Sequence, residues 1–456
     1  MPVSKIILTN YSVAGIKSID KKVSLSFYRK TISNDLEVKG YNVKGIYGIN
    51  GSGKSGIVTS ADIFRNILIN SKYLNNPLVQ RDLKALVNKS TNELIIEAEF
   101  VTHYGMRLRL YLYSVKIGIG QAGQYVIKEE SLSCRPASSR IKDMKNIFKV
   151  VNGTIVSVYA DVPDEILEEI KNKSMNLLAT ASLPSIFANM GDVCVKDADF
   201  SKPLALDLLA LIMLGINIHV SMDDSDDHTY YFLYRDFYGK AESDYDNLVR
   251  LIQCSAEKNQ ELLKPISPND NNIPIDRYPL FEKRVLEIER FIKIFKSDLR
   301  GIEIEKKQNR DCYVCNLIMQ YDDYQIYSEF ESTGIKKLMS LYVYIREMLM
   351  GGIVFIDEFD SNLHDVYLCA LLDYVMTYGK GQLCFTTHNV GPMDVLRRNK
   401  KSIDFLSEDR QIYSWKTNGN YSPSKLYREG MIDGSLFNVE AIDFIGVFGD
   451  AEVDDI

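Results

Sequence analysis

Short apolar runs and stretches of helical spacing alternate along this chain. Residues 353–356 and 383–385 are uninterrupted apolar runs, which are typical of parallel strands covered on both faces. Residues 43–47 predict a further strand, and apolar residues recur at helical spacing directly after it, at positions 57, 61, 64 and 68. A second helical pattern covers residues 335–349. Strands that alternate with helices predict an α/β fold.

The segment between residues 68 and 335 has a different pattern of apolar and polar positions. Residues 94–158 contain stretches of alternating apolar and polar positions separated by glycine-containing turns, which predict antiparallel strands. Two more strands are expected near residues 5–8 and 23–27. Helical spacing dominates from residue 163 to 299. Its longest apolar stretch, residues 204–220, is interrupted by polar residues and predicts a buried helix followed by a strand rather than a membrane span.

Prolines and asparagines interrupt the helical region near residues 265–274, which predicts a loop or hinge. Pro279 is well placed to begin a helix, and Gly301 to end it. Two helices bridged by a polar loop would form a short projecting arm.

These patterns predict three segments. Residues 1–200 would form the amino-terminal half of an α/β core with an antiparallel β-lobe. Residues 201–300 would form the helical insertion, and residues 301–456 the carboxyl-terminal half of the core. At 456 residues and 46% hydrophobic content, the chain can bury a large core.

The sequence of a complete phosphate-binding loop follows the predicted strand at residues 43–47. It consists of Gly48, Ile49, Asn50, Gly51, Ser52, Gly53, Lys54 and Ser55. Its glycines allow a tight turn whose backbone N–H groups point inward, towards a phosphate chain. Lys54 would reach the β- and γ-phosphates, and the Ser55 hydroxyl would bind Mg²⁺. ATP and Mg²⁺ are therefore the expected cofactors.

Two acidic residues follow the apolar run at residues 353–356. Asp357 is placed to bind Mg²⁺, and Glu358 to orient or deprotonate a water molecule. Acidic residues that simply end a strand in solvent are the alternative. With the upstream loop in the same chain, catalytic carboxylates are the favoured interpretation.

The segments on either side of this strand add candidate residues. Ser332 can cap the helix that follows it, and a hydroxyl beside free N–H groups at a helix start favours anion binding. After the strand come Asp360 and then His364, and His388 follows the apolar run at residues 383–385. His388 could also be an ordinary polar residue at the end of a strand.

The order of these motifs resembles that of the ABC-type ATPases of the SMC and RecF branch, closest to prokaryotic ATPases related to the OLD proteins. The resemblance implies a P-loop NTPase of ABC-ATPase type with an antiparallel β-lobe. It also implies that Ser332, Gly334 and Lys336 act on the nucleotide of a second subunit. Asp360 would be the interface aspartate, and His388 the histidine that senses the γ-phosphate.

Such ATPases also use a glutamine that senses the metal and the γ-phosphate. Gln80 is the nearest candidate by position, and its surroundings predict a loop. An exposed glutamine without this role is the alternative.

Composition and charge limit which binding partners and which cellular location are expected. The net charge is −7, and basic clusters such as Arg397 and Arg398 are more typical of solvated loops, so nucleic acid is possible but not indicated. The seven cysteines are scattered, and the CxxC pair Cys312 and Cys315 does not predict a zinc site. No leader pattern opens the sequence, so we expect a cytoplasmic protein without a membrane partner.

Three functions fit the resemblance. The first is a homodimeric or higher homo-oligomeric switch ATPase that controls a separately encoded effector, such as a nuclease, in prokaryotic anti-phage defence of the PARIS or Septu kind. The second is a RecF-like DNA-repair ATPase, which salt-dependent binding to duplex DNA would reveal. The third is a transporter subunit, which the segment of about 280 residues between Lys54 and Ser332 disfavours.

Overall fold

The computed structural model describes residues 5–28, 32, 37–104, 107–137, 142–158, 168, 171–172, 177–189, 203–222, 266–399, 401–416 and 422–432. Residues 223–265, where the first helix of the predicted projecting arm would lie, are outside these residues.

The strands are β1 (Ile7–Ala14), β2 (Val23–Ser26), β3 (Val43–Gly48), β4 (Glu93–Tyr104), β5 (Arg107–Ile119), β6 (Tyr125–Pro136), β7 (Lys145–Val151), β8 (Thr154–Val158), β9 (Ile218–Ser221), β10 (Asn271–Pro274), β11 (Gly301–Asn309), β12 (Cys312–Gln320), β13 (Gln325–Tyr327), β14 (Ile353–Ile356), β15 (Gln382–Thr386), β16 (Ile403–Leu406) and β17 (Ile412–Ser414).

The helices are α1 (Lys54–Ile69), α2 (Pro77–Leu86), α3 (Leu183–Asn189), α4 (Pro203–Asn217), α5 (Tyr278–Phe295), α6 (Thr333–Met350), α7 (Asp365–Tyr378), α8 (Met393–Leu396) and α9 (Pro423–Arg428).

The central sheet has the strand order β17-β16-β3-β15-β14-β9 and is parallel except for β17. Alternate side chains of its strands enter two different cores. Phe355 packs with α1 and α4 on one face, whereas Val354 packs with α6 and α7 on the other. Because both faces are covered, β14 is apolar throughout and β15 is apolar at residues 383–385. The predicted α/β class is confirmed.

A seven-stranded antiparallel sheet, β2-β1-β4-β5-β6-β7-β8, forms the predicted β-lobe. The buried side chain of Gln382 joins it to the central sheet. The amide N–H of Leu8 donates to Gln382 Oε1, and Gln382 Nε2 donates to the carbonyl oxygen of Leu8, both at 2.8 Å. One carboxamide thereby satisfies a donor and an acceptor of β1.

The structure describes both ends of the predicted helical insertion, residues 201–300. Its first part is α4, which packs against α1, and β9, which is the edge strand beside β14. The prediction of a buried helix followed by a strand in this stretch is confirmed. Its last part, α5, does not project, because it packs on β11 and α6. The predicted loop near residue 270 includes β10, and Gly301 begins β11 rather than ending α5.

Over the described ranges, no helix combines the length and the apolar composition needed to cross a bilayer. The most apolar of them, α4, has 15 residues and lies in the protein core.

An ion pair is buried where β3 meets β16. Lys44 Nζ donates to Asp404 Oδ2 at 2.5 Å, and the two side chains are 2% and 0% exposed. Lys44 Nζ also donates to the carbonyl oxygen of Lys401, and Ser414 Oγ donates to Asp404 Oδ1, both at 2.6 Å. These extra hydrogen bonds offset part of the desolvation cost of the two charges.

We predict that Asp404→Ala lowers the free energy of unfolding by about 3–5 kcal/mol, because it leaves a buried ammonium without its counter-ion. Urea denaturation followed by circular dichroism measures the loss. The matched control is Asp373→Ala, since the ion pair of Asp373 with Arg398 is 54% and 64% exposed. The Asp373→Ala substitution should lower the free energy of unfolding by less than about 1 kcal/mol. Equal losses in both variants would contradict the prediction.

Candidate functional site

The glycine-rich loop, Gly48–Ser55, connects the end of β3 to the start of α1 as predicted. Gly53 has a φ of 110°, and a Cβ there would lie 2.7 Å from Ile19 Cγ1. A Cβ on Gly48 would lie 2.4 Å from the carbonyl oxygen of Leu406. The loop is thus packed so tightly against its neighbours that these positions require glycine. By contrast, the space beside Gly51 is open.

Lys54 is buried in this loop with 6% exposure. Its Nζ donates to the carbonyl oxygens of Gly48 at 2.8 Å and Ile49 at 2.9 Å. Burial lowers the pKa of Lys54 to about 8, while nearby carboxylates, of which Asp357 has the largest effect, act in the opposite direction. The ammonium is thus held inside the loop by neutral carbonyl groups, which an anionic ligand could replace.

The strand order brings the predicted acidic residues to this loop. Because β15 lies between β3 and β14, the carboxyl ends of the three parallel strands meet at one edge of the sheet. Asp357, Glu358 and Asp360 are all close enough for their charges to raise the pKa of Lys54. One cation and three carboxylates, separated by about 300 residues in sequence, thus share one edge.

His388 joins the same cluster from the end of β15. Partial burial lowers its pKa, and the positive charge of Lys54 lowers it further. The carboxylates of Asp360 and Asp357 act in the opposite direction. The lowered pKa favours the neutral imidazole, which can both donate and accept a hydrogen bond.

Thr386 was missed by the sequence analysis and connects the acidic residues. Its hydroxyl contacts Asp357 Oδ1 and accepts from the backbone N–H of Glu358 at 2.9 Å. Glu358 has a φ of 46°, in the left-handed region that residues with a side chain rarely adopt. The sequence does show a threonine directly after the apolar run at residues 383–385. It does not show that this run lies beside the strand that precedes Asp357, because strand order is not visible in the sequence.

Several buried oxygen atoms of the site lack a hydrogen-bond partner among the described residues. They are Ser52 Oγ in the glycine-rich loop, and Asp360 Oδ1 and Ser361 Oγ after β14. Buried polar atoms without a partner are uncommon and often mark positions where a ligand binds. The loop and the turn after β14 therefore both offer groups that fit a polar ligand.

The start of α6 contacts the turn after β14. Ser332 Oγ accepts from the backbone N–H of Ile335 at 3.4 Å, so the predicted N-cap is confirmed. Lys336 Nζ donates to the carbonyl oxygen of Glu329 at 3.2 Å. A Cβ on Gly334 would lie only 2.8 Å from the carbonyl oxygen of Asn362.

The side chain of Ser332 is exposed, and that of Lys336 is half-buried. Their hydrogen bonds described above are all local, to residues 329–335, and none joins them to the glycine-rich loop. Within the part of the chain that the structure describes, neither Ser332 nor Lys336 is hydrogen-bonded to Lys54.

Gln80 lies outside the cluster. It is buried in α2, so the predicted exposed loop is wrong. Its Nε2 donates to the carbonyl oxygens of Leu74 at 2.6 Å and Tyr125 at 2.9 Å, and the Tyr125 N–H donates to its Oε1 at 2.8 Å. These bonds attach α2 to β6, which gives Gln80 a structural role in this conformation.

The described residues hold no group of three or more His, Cys, Asp or Glu side chains that could bind a metal ion. A cation at this edge would depend on Ser55, Asp357 and oxygen atoms of the ligand itself. That donor set suits Mg²⁺, which commonly binds to one or two protein oxygens and to phosphates.

Comparison with known proteins does not assign this geometry to a family. No protein-family model matches the chain, and no curated protein matches it. The residues at this edge of the sheet are therefore the basis for a functional conclusion.

We predict that Lys54 titrates near pH 8, because burial disfavours its charged form. Carbon NMR of ¹³C-labelled lysines measures the titration, and the Lys54→Arg variant assigns the signal. Asp357→Asn should lower the pKa further, since it removes the carboxylate with the largest opposing effect. A titration of Lys54 near pH 10.5 in the parent protein would contradict the burial.

Proposed function

We propose that this chain is an ABC-type switch ATPase that binds and hydrolyses ATP. Subunits would assemble through shared nucleotide sites and control a separately encoded effector in prokaryotic anti-phage defence. The observation that supports the proposal most is the convergence of Lys54, Asp357, Glu358 and His388 at one edge of the sheet. In sequence Lys54 lies about 300 residues before the other three, and each of the four is of a type that phosphoryl transfer uses.

Nucleotide binding would use the glycine-rich loop. Backbone N–H groups of the loop and the positive end of α1, a helix of 16 residues, favour anions. Lys54 would exchange the carbonyl oxygens of Gly48 and Ile49 for phosphate oxygens. The negative phosphates would then favour the protonated form of Lys54 and offset the effect of its burial.

Hydrolysis would use the acidic turn after β14. Glu358 would accept a proton from the attacking water, and His388 would contact the γ-phosphate. Bound Mg²⁺ would neutralise phosphate charge, and Ser55 and Asp357 are the residues that would hold it. Because Glu358 belongs to a turn fixed by Thr386, its carboxylate is attached to a constrained backbone.

A shared site accounts for the start of α6. Ser332 is exposed at a helix amino terminus, where hydroxyl and N–H groups can receive an anion. In the proposed dimer, Ser332, Gly334 and Lys336 of one subunit complete the nucleotide site of the other, beside Asp360. ATP held between two subunits favours the closed dimer, because it binds that state more tightly than the open one.

Control of an effector rests on the resemblance to OLD-related ATPases, and copurification tests it. The protein is isolated from its native host with ATP or with ADP. A second protein, such as a nuclease, that binds in only one nucleotide state would support the proposal. Isolation of the chain without any partner in both states would contradict it.

We predict that Lys54→Ala weakens ATP binding by about 10- to 150-fold, the value of one charge-assisted hydrogen bond. Glu358→Gln should bind ATP as the parent does, yet hydrolyse it about 10²- to 10⁴-fold more slowly, because it lacks the general base. Isothermal titration and phosphate release measure the two effects. Glu358→Gln should also accumulate as an ATP-bound assembly in size-exclusion chromatography. Hydrolysis at the parent rate would exclude this role for Glu358.

We predict that Ser332→Arg and Lys54→Ala proteins are each inactive but regain part of the ATPase activity when mixed. In a mixed dimer, one site combines the intact loop of one subunit with the intact Ser332 of the other, while both defects fall in the second site. Phosphate release by the mixture and by each variant alone measures the rescue. At most one of the two sites can recover, so full activity of the mixture would argue against shared sites.

A further inference from the structure

We propose that Thr386 is a positioning residue that fixes the side chain of Asp357 and the backbone of Glu358 for metal binding and water activation. The inference rests on the proposed ATPase function and extends it to a residue outside the sequence motifs. Thr386 is the last residue of β15 and is 1% exposed. It would act through its neighbours and would not itself contact the nucleotide.

Thr386 makes hydrogen bonds to three consecutive residues of the neighbouring strand end. Its hydroxyl contacts Asp357 Oδ1 and accepts from the N–H of Glu358 at 2.9 Å. Its carbonyl oxygen accepts from the N–H of Phe359 at 3.0 Å. The side chain and the backbone of one residue thereby hold the whole turn.

Which group donates in each of these hydrogen bonds follows from the chemistry of the groups. The N–H of Glu358 can only donate, so the Thr386 hydroxyl accepts that bond and has its single proton left for the carboxylate of Asp357. This bond uses only one of the two carboxylate oxygens, which leaves the other for a cation.

The backbone of Glu358 needs this support. A residue with a side chain at a φ of 46° is strained, and such conformations persist when surrounding contacts enforce them. The preceding N–H, of Asp357, donates to the carbonyl oxygen of Ser221 in β9 at 2.8 Å. The turn is therefore held from both sides, by a backbone contact from β9 and by backbone and side-chain contacts from β15.

Three variants test the role of the hydroxyl. Thr386→Val keeps the shape of the side chain but removes the hydroxyl, whereas Thr386→Ser keeps the hydroxyl. The control is Thr9→Val in β1, because the buried Thr9 also donates to a carboxylate, Glu99 Oε1 at 2.7 Å, but lies in the β-lobe. Thermal unfolding shows whether each variant is folded.

ATP hydrolysis is measured over a range of Mg²⁺ concentrations, and ATP affinity is measured separately in EDTA. For Thr386→Val we expect kcat to fall and the Mg²⁺ requirement to rise, each by about 10- to 100-fold, as for other residues that orient a metal ligand. Affinity for ATP in EDTA should stay within about twofold, because the glycine-rich loop is intact. Thr386→Ser and Thr9→Val should resemble the parent protein.

Hydrogen exchange of the nucleotide-free protein gives a second measurement that does not depend on ATPase activity. Peptides that contain residues 357–361 should exchange faster in Thr386→Val than in Thr386→Ser, because the N–H of Glu358 loses its acceptor. If the parent protein does not hydrolyse ATP, the proposed function fails, and exchange alone decides whether Thr386 positions the turn.

Two results would overturn the proposal for Thr386. One is a folded Thr386→Val protein with the exchange, the kcat and the Mg²⁺ requirement of the parent. The other is an equal loss in Thr386→Ser and Thr386→Val, which would attribute the effect to the methyl group and not to the hydroxyl.

Discussion

The parallel alignment of β3, β15 and β14 is the constraint on which the rest of the structure depends. Neighbouring strands in a sheet lie about 4.8 Å apart, so three adjacent strand ends fall within about 10 Å. The loop that contains Lys54, the turn that contains Asp357 and the end of β15 are therefore held together by backbone hydrogen bonds. The helices and the antiparallel sheet cover the two faces of the central sheet.

Much of this arrangement could be predicted from local patterns. The apolar runs of β14 and β15 follow from burial on both faces, and Ser332 had the residue type of an N-cap. The antiparallel strands of residues 94–158 followed from alternation and turns. In each case the stabilising contact is to a residue a few positions away in sequence, or the pattern of apolar positions directly reflects burial.

Two of the errors concern partners that are distant in sequence, and the error at Gln80 concerns a local helix start. The apolar stripe of α5 predicted a helix but did not show that it would pack on β11. Gln80 follows Asn76 and Pro77, which resemble a loop but in fact cap and begin α2. Thr386 contacts Asp357 only because their strands are adjacent, and strand order depends on the packing of the whole sheet.

The close approach of Gly334 to the carbonyl oxygen of Asn362 has a mechanical consequence. Two backbones in direct contact have no flexible side chain between them to absorb a displacement. A displacement of the α6 terminus towards this turn would therefore meet the backbone of Asn362 directly, two residues after Asp360.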